Sequence, residues 1–384
     1  MNKIFLVEFV LLCYLKAGTS FLYERQDQSN TSITERQPRL IGLWSWGWGV
    51  GIVRFQNSAC TGETGLVGTC YTRRQCSDIG GSASGSCASN IGVCCVLQLG
   101  CGNSSSYNNT YFVNTNYPTP VTGGSRCVYT IEKCNSDICQ ARIEFISVTL
   151  AQPDGDGNCV NDTLTIRGGG SVVPVICGEN SGQHVYVQFY EDQDIQIEVV
   201  TSTGTFSRIW NLRVMQIACN CPTIAPSGCL MYYTSISGIV NSFNYGSTES
   251  STLNSIGATG TRQLVNQNYG VCVAMIPGYC SIIWSQTSYN SFTVSNDTEA
   301  YLFGSNAGTF GNECPYDFVI VPAPYLTNGS LFYTDRFCGN YFPTVEIFSA
   351  FSKPFVLTVV NNGNDTADVA NRGFSLSYTQ QLCR

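Results

Sequence analysis

Charged side chains are scarce in this sequence, and histidine is almost absent. Asp, Glu, Lys and Arg make up 12% of the 384 residues, and His184 is the single histidine. No G-D-S-G-G nucleophile segment occurs, so a Ser-His-Asp arrangement of the usual family form cannot be assembled. GGGS at 168–171 lacks the Lys and Ser/Thr of a phosphate-binding loop. These absences argue against an enzyme, and we expect His184 to be structural.

The sequence also has no excess of basic residues, since its formal net charge is -7. Nucleic acids and anionic membrane surfaces attract basic proteins, so we expect neither as a partner. A membrane span needs about 20 consecutive apolar residues, and no run of that length is present. We therefore expect no membrane insertion.

Residues 1–20 are typical of a secretory signal peptide. Lys3 precedes an apolar run from Ile4 to Leu15, and small residues follow where signal peptidase would cut. A secreted, extracellular protein is expected, with an uncleaved anchor as the alternative. Seven Asn-X-Ser/Thr sequons predict a glycosylated surface, at Asn30, Asn103, Asn108, Asn161, Asn296, Asn328 and Asn364.

Cysteine, in contrast, is abundant, with 21 residues. Removal of Cys13 with the signal peptide leaves an even set, which suits complete pairing in an oxidising compartment. The dense run at 68–95 could be a metal cage, a redox site or a disulfide knot. No Cys-x2-Cys pair is followed by a second one at zinc-site spacing. We therefore expect a disulfide framework without a free thiol.

Alternating apolar residues predict short strands along most of the chain. QHVYVQFY places Val185, Val187 and Phe189 on one face, and IQIEVV at 195–200 repeats the pattern. Turn segments such as PDGDGN and NNGND separate these stretches. Helical periodicity with caps is missing, so the sequence predicts an all-β fold of sandwich domains.

Composition divides the chain into segments. Residues 21–43 form a polar arm without an apolar face, which we expect to be disordered. Trp44, Trp46 and Trp48 alternate as on a strand; they could bind a sugar or a partner, or dock on the neighbouring module. The predicted segments after the arm are an aromatic and cysteine-rich module at 44–98, β domains at 101–218 and 229–384, and a linker at 219–228.

The cysteine-rich module resembles the clip-type modules of arthropod secreted proteins. The resemblance rests on six cysteines, on G-x-C-Y at 68–71 and on the terminal V-C-C. Six cysteines alone allow 15 pairings. The resemblance implies that three disulfides stabilise a module with little core: Cys60 with Cys94, Cys70 with Cys87, and Cys76 with Cys95.

The two β segments resemble CUB domains. Each has a C-x-x-D segment that leads into a strand, CVNDTLTI at 159–166 and CPYDFVIV at 314–321, followed by a C-G pair. The resemblance implies antiparallel jelly-roll-like sandwiches with four disulfides: Cys101 with Cys127, Cys159 with Cys177, Cys229 with Cys272, and Cys314 with Cys338.

Six further cysteines lie outside that scheme. Cys134 and Cys139 are close enough in sequence for a local bridge. The disulfide pairing of the other four cannot be predicted from the sequence: Cys219, Cys221, Cys280 and Cys383. Of these, Cys383 is expected to tie the C-terminus back to its domain. The whole layout resembles a family of arthropod secreted CUB-domain proteins without an established activity, so the resemblance implies a fold rather than a function.

Calcium is the candidate cofactor. PDGDGNCVND supplies three aspartates, and closely placed carboxylates repel one another unless they are protonated or share a cation. The spacing does not fit an EF-hand. In calcium-binding CUB domains two acids around the third cysteine share the ion, and the resemblance places them on Asp154 and Asp162. Asp317 matches in the second domain, where Thr309 replaces the earlier acid; a solvated turn is the alternative for PDGDGN.

These observations predict a non-catalytic secreted recognition protein that binds an extracellular protein or glycan through CUB-domain loops. The alternative is a structural component of cuticle, peritrophic or egg matrix. A matrix protein would favour low-complexity repeats, which the β segments lack, so binding is preferred. The sequence does not predict the oligomeric state.

Overall fold

The computed structural model of the protein describes residues 55–294, 308–326, 329–349, 354–363 and 369–383. These residues fall into two units, one ending at Leu97 and one beginning at Gln98. Several predicted features lie outside the described residues: the signal peptide, the polar arm, Trp44, Trp46 and Trp48, and the sequons at Asn30, Asn296, Asn328 and Asn364.

The cysteine-rich module is a small sheet with one short helix. Its elements are β1 (Ala59–Thr61), β2 (Val67–Tyr71), α1 (Arg73–Asp78), β3 (Ser82–Cys87) and β4 (Gly92–Leu99). The helix starts at Arg73 because Thr72 forms a capping box with Gln75. β2 and β3 both pair with β4, and β1 pairs with β2.

Disulfides form much of the centre of this module. The structure joins Cys60 to Cys94, Cys70 to Cys87, and Cys76 to Cys95, the pairs that the clip resemblance implies. Cys70 and Cys94 are fully buried. A module of this size buries too little apolar surface to fold on its core alone, and each bridge stabilises it by about 3 kcal/mol.

The first CUB-like domain is a sandwich of two layers with four strands each. One sheet has the order β5-β7-β11-β9, and the strands β6-β12-β8-β10 face it. Their bounds are β5 (Ser104–Ser105), β6 (Thr110–Val113), β7 (Ser125–Ile131), β8 (Ile138–Thr149), β9 (Thr163–Arg167), β10 (His184–Gln188), β11 (Ile195–Thr201) and β12 (Ile209–Ala218).

Burial along two of these strands tests the predicted alternation. In β11, Ile195, Ile197 and Val199 are buried, while Gln196 and Val200 are exposed. β11 is thus half-buried, as its pattern predicts. β10 departs from its pattern because His184 and Tyr186, on the face expected to be solvated, are buried as well.

The second CUB-like domain has two larger sheets with the orders β13-β15-β23-β19-β21-β18 and β14-β24-β16-β22-β20, and β17 also pairs with β24. A short 3-10 helix, Gly311–Glu313, precedes β19. The strands are β13 (Cys229–Tyr233), β14 (Ser237–Asn241), β15 (Asn268–Val273), β16 (Tyr279–Gln286), β17 (Phe292–Thr293), β18 (Gly308–Phe310), β19 (Phe318–Ile320), β20 (Tyr325–Leu326), β21 (Arg336–Gly339), β22 (Val345–Phe348), β23 (Phe355–Val360) and β24 (Gly373–Leu382).

The disulfides that the CUB resemblance implies are present in both domains. The structure contains the four pairs that it implies: Cys101–Cys127, Cys159–Cys177, Cys229–Cys272 and Cys314–Cys338. Cys383 pairs with Cys280, which ties the C-terminus to β16. The bonds therefore link neighbouring segments of each sandwich.

The expected bridge between Cys134 and Cys139 is wrong. Cys139 lies at the start of β8 and bonds to Cys219, directly after β12, the antiparallel neighbour of β8. The amide of Cys219 also donates to the carbonyl oxygen of Asp137 (2.8 Å).

Cys134 is the free thiol of the described residues, so the expectation of complete pairing fails there. Burial raises the pKa of the Cys134 thiol to about 11, which keeps it protonated at neutral pH.

No helix within the described ranges is long and apolar enough to cross a membrane.

Candidate functional site

The PDGDGN loop, in which the sequence suggests calcium ligands, joins the two CUB-like domains. The carbonyl of Gly155 accepts a hydrogen bond from the amide of Thr261 (2.9 Å), and that of Gly157 accepts one from Val265 (3.2 Å). Oδ1 of Asp156 accepts from both the amide and the hydroxyl of Ser255 (3.1 Å each). At these atoms the loop therefore contacts the second domain rather than solvent.

The glycines of this loop are required by how closely the second domain approaches. A Cβ atom on Gly155 would lie 2.0 Å from the carbonyl oxygen of Leu253, which is backbone and cannot move aside like a side chain. Gly157 combines a φ of +83° with a similar obstruction, 2.6 Å from the carbonyl oxygen of Gln263. Only glycine fits these positions without displacing the neighbouring chain.

A buried asparagine extends the junction. The amide of Asn244 in the second domain donates to Oδ1 of Asn180 in the first (2.8 Å), and Oδ1 of Asn244 accepts from the amide of Glu179 (2.9 Å). Its Nδ2 donates to Oε1 of Gln152 (3.0 Å) and to the carbonyl of Arg262 (2.8 Å). Asn244 is fully buried, so all these polar groups are satisfied without water.

The linker is fixed to the first domain. Oε1 of Gln140 accepts from the amide of Ala225 (2.9 Å), and Nε2 of Gln140 donates to the carbonyl of the same residue (3.1 Å). Both residues are buried. The linker segment thus packs as part of the body, and it holds β13 beside β10.

His184, the single histidine, lies at this junction. Its Nε2 is 3.0 Å from the carbonyl oxygen of Tyr232 in β13, and its ring makes an edge contact with Tyr233. Tyr186, two residues along β10, meets Tyr232 in the same way. The second domain therefore covers the outer face of β10, which explains why that strand is buried on both faces.

Burial and the nearby Arg142 guanidinium lower the pKa of His184 to about 3, so the ring is neutral in the folded protein. Glu144 lies opposite His184 on β8, but its carboxylate is paired with Arg142 and Arg213 and so does not favour the imidazolium. This role is structural, as the sequence predicts for His184.

Acidification is expected to destabilise the folded chain through His184. An unfolded histidine binds a proton near pH 6.5, whereas His184 stays neutral to about pH 3, so stability falls as pH drops below 6.5. Between pH 8 and pH 5 the free energy of unfolding should fall by about 2 kcal/mol. Urea denaturation at several pH values measures the slope, and His184→Gln should remove it. Equal slopes in the two proteins would contradict the assignment.

Asp162, the second predicted calcium ligand, forms a buried ion pair instead. Oδ2 of Asp162 accepts from Nε of Arg208 (2.8 Å) and Oδ1 from Nη2 (3.0 Å). The amides of Ala151 (2.7 Å) and Ser202 (3.0 Å) donate to the same carboxylate. Burial would raise the pKa of Asp162, but the Arg208 and amide hydrogen bonds outweigh burial and hold the pKa below its usual value.

These contacts do not fit a calcium ion between Asp154 and Asp162. Asp154 is used by its own turn, since its Oδ1 accepts from the amides of Asp156 (3.1 Å) and Asn158 (2.8 Å). Both oxygens of Asp162 already face a guanidinium. The described residues contain no group of three or more His, Cys, Asp or Glu that could hold a metal ion. The predicted site in the first domain is therefore not supported, because a cationic side chain takes up its carboxylate.

Asp317, the weaker candidate of the second domain, is buried, and its Oδ1 accepts from the amide of Asn362 (2.7 Å). The equivalent contact in the first domain is the one between Asp162 and Ser202. Asp162 and Asp317 thus each hold the loop that precedes the last strand of their own sandwich.

An open groove of about 710 Å³ lies along the junction. Segment 170–172 and Gln188 of the first domain, linker residues 226–228, and strands β13, β15 and β23 line it, and it contains both cysteines of the Cys229–Cys272 disulfide. No lining residue carries a charge. Val172 is 86% exposed at its edge. The groove is therefore a neutral surface with mixed apolar and amide or hydroxyl character.

Sequence reasoning missed two elements of this arrangement. Arg208 is 46 residues from its carboxylate partner, and no local pattern connects them. The groove is formed by five separate segments of the chain, so its residues share no motif. The paired glycines of PDGDGN were the available signal for the junction, since they indicate close backbone approach as well as a turn.

Comparison with known proteins finds a similarity for the second domain. The family model for the animal CUB domain matches residues 226–381. No curated protein matches the chain significantly. Among solved structures, the CUB1-EGF-CUB2 domains of rat MASP-1 are 12% identical, covering 74% of this chain and 99% of that one at a TM-score of 0.24.

Two further structures are similar at the same level. The MASP-1 CUB2 domain bound to Ca²⁺ is 23% identical, covering 30% of this chain and 98% of that one, with a TM-score of 0.26. The extracellular region of zebrafish Gpr126 is 10% identical, covering 73% and 36%, with a TM-score of 0.26. Residues 226–381 are therefore similar to the animal CUB domain, and a CUB-like sandwich precedes them in the chain.

Proposed function

We propose that this protein is a non-catalytic, secreted recognition protein that binds another extracellular protein. CUB domains generally mediate protein binding in extracellular proteins. The many disulfides support an oxidising compartment. The resemblance of residues 60–95 to clip modules remains part of this proposal, supported by the three disulfides of that segment.

The groove at the domain junction carries the proposal. Its walls come from both CUB-like domains and from the linker, and the hydrogen bonds of Gly155, Asn244 and Gln140 hold these parts together. A preformed surface loses little conformational entropy when a partner binds. Val172 provides an exposed apolar contact beside amide and hydroxyl groups.

The composition of the groove indicates the kind of segment that it binds. Without a charged lining residue, it would leave a charged partner group desolvated and unpaired. We therefore infer that the partner presents an uncharged segment, whose apolar side chains and backbone amides meet Val172, Gln188 and Asn268. Binding should then depend little on salt, because no exposed ion pair contributes.

Val172→Arg is expected to weaken partner binding at least about tenfold, since it places a charge at the edge of a neutral site. The partner is first captured from extracellular fluid on the full chain, and its Kd is then measured by calorimetry at low and high salt. Val160→Arg is the matched control, because Val160 is also an exposed valine (63%) but does not line the groove.

Equal weakening by both substitutions, or none by Val172→Arg, would contradict binding at the groove. A captured partner that loses affinity after enzymatic deglycosylation would show that the chain recognises a glycan instead. Affinity that falls steeply with salt would exclude an uncharged segment as the recognised feature.

Two described sequons remain proposed glycosylation sites. Asn103 and Asn161 are exposed on the first domain. Asn108 is less suited, because its Oδ1 accepts from the amide of Gln216 (2.9 Å) and its Nδ2 donates to the carbonyl of the same residue (3.4 Å). A glycan there would replace contacts that hold the loop onto β12.

A further inference from the structure

Every donor of one buried arginine is satisfied by the loops at one end of the first domain. The Arg208 side chain is 1% exposed. Its Nε and Nη2 donate to the two oxygens of Asp162, and Nη2 also donates to the hydroxyl of Ser202 (2.8 Å). Its Nη1 donates to the carbonyls of Gly204 (2.9 Å) and Phe206 (2.8 Å). A guanidinium has five N–H groups, so none is left unpaired.

The acceptors around Arg208 are all oxygens. Two belong to a carboxylate, two are backbone carbonyls, and one is a hydroxyl. Oxygens of these kinds are the ligands that a hard cation such as calcium takes in proteins. Arg208 thus sits where loop oxygens from two parts of the chain converge, 162 on one side and 202–206 on the other.

We propose that the guanidinium of Arg208 is the permanent cation of the loop cluster formed by Asp162 and residues 202–206, and that it holds this cluster in place without a metal ion. Asp162 accepts the amides of Ala151 and Ser202 from either side, so the pair fixes both flanking loops. The first CUB-like domain is then ordered in the same way with or without calcium.

Charge balance makes the arginine and a metal ion mutually exclusive. The described residues around the cluster supply one carboxylate, Asp162, and Arg208 neutralises it. A divalent ion added beside the guanidinium would leave two net positive charges in a buried site, which is strongly unfavourable. Asp154 is not among the acceptors of Arg208, and its Oδ1 accepts hydrogen bonds from its own turn.

Two backbone amides report directly on the cluster. The amides of Ala151 and Ser202 both donate to Asp162, so their hydrogen exchange slows only while the carboxylate stays in place. Exchange is followed by NMR or mass spectrometry on the full chain, in calcium and in chelator. The expected result is the same exchange rate at both amides in the two conditions. Slower exchange of the wild-type amides in calcium would overturn the proposal.

Arg208→Gln removes the cation and should accelerate exchange at Ala151 and Ser202 by about tenfold or more. Ser202→Ala is the milder variant, since it deletes one acceptor of Nη2 and keeps the ion pair; it should accelerate exchange a few-fold, within 201–207 only. Amides of β16 and β24 in the second domain serve as the internal reference. Unchanged exchange at Ala151 and Ser202 in Arg208→Gln would refute the role of Arg208.

Discussion

Asp162→Ala is expected to lower the free energy of unfolding of the CUB-like body by about 3–5 kcal/mol. The substitution leaves the Arg208 guanidinium buried without its counter-charge, and it also deprives the amides of Ala151 and Ser202 of their acceptor. Breaking one partner of a buried pair costs far more than the pair contributes relative to apolar residues. Chemical denaturation followed by circular dichroism measures the loss.

Glu198→Ala provides the matched control in the same domain. Glu198 pairs with Arg126, whose side chain is 70% exposed, so this surface pair should contribute at most about 1 kcal/mol. The double variant Asp162→Ala with Arg208→Met should lose less than the single variant, because it removes the unpaired charge. A loss for Asp162→Ala no larger than that for Glu198→Ala would contradict the buried-pair assignment.

Gly155→Ala is expected to destabilise the same body by about 1–3 kcal/mol and to uncouple its two domains. The added Cβ would lie 2.0 Å from the carbonyl oxygen of Leu253, so the second domain must shift away from the loop. The hydrogen bond between Gly155 and Thr261 is then strained as well. Calorimetry should show one transition in the wild-type body and two in the variant.

Gly100→Ala is the control for this substitution. Nothing lies within 4 Å of a Cβ at Gly100, so alanine there should leave both stability and cooperativity unchanged. A single wild-type-like transition in Gly155→Ala would show that the PDGDGN loop does not couple the domains.

The sequence predicted features that depend on neighbours within one strand or one domain. Alternation in β11 was read correctly because one of its faces is solvated. The same rule failed for β10, where the second domain covers the other face through Tyr232. Burial against a distant domain leaves no local signature, so an alternating pattern cannot reveal it.

Long-range partners explain the other differences. Cys139 bonds across 80 residues to Cys219 because β8 and β12 are antiparallel neighbours, whereas sequence proximity suggested Cys134. The aspartates of PDGDGNCVND suggested a calcium ion, whereas the cation beside Asp162 is the side chain of Arg208. Arg208 lies in the loop directly before β12. The spacing of the carboxylates alone could not predict this guanidinium.

Native-state hydrogen exchange of the wild-type chain across a denaturant series tests the coupling of the two domains most directly. If the junction makes them one body, amides of β8 and β12 and those of β16 and β24 should converge on one opening free energy with one denaturant dependence. Separate limits for the two domains, with one sandwich still protected while the other exchanges, would contradict this account.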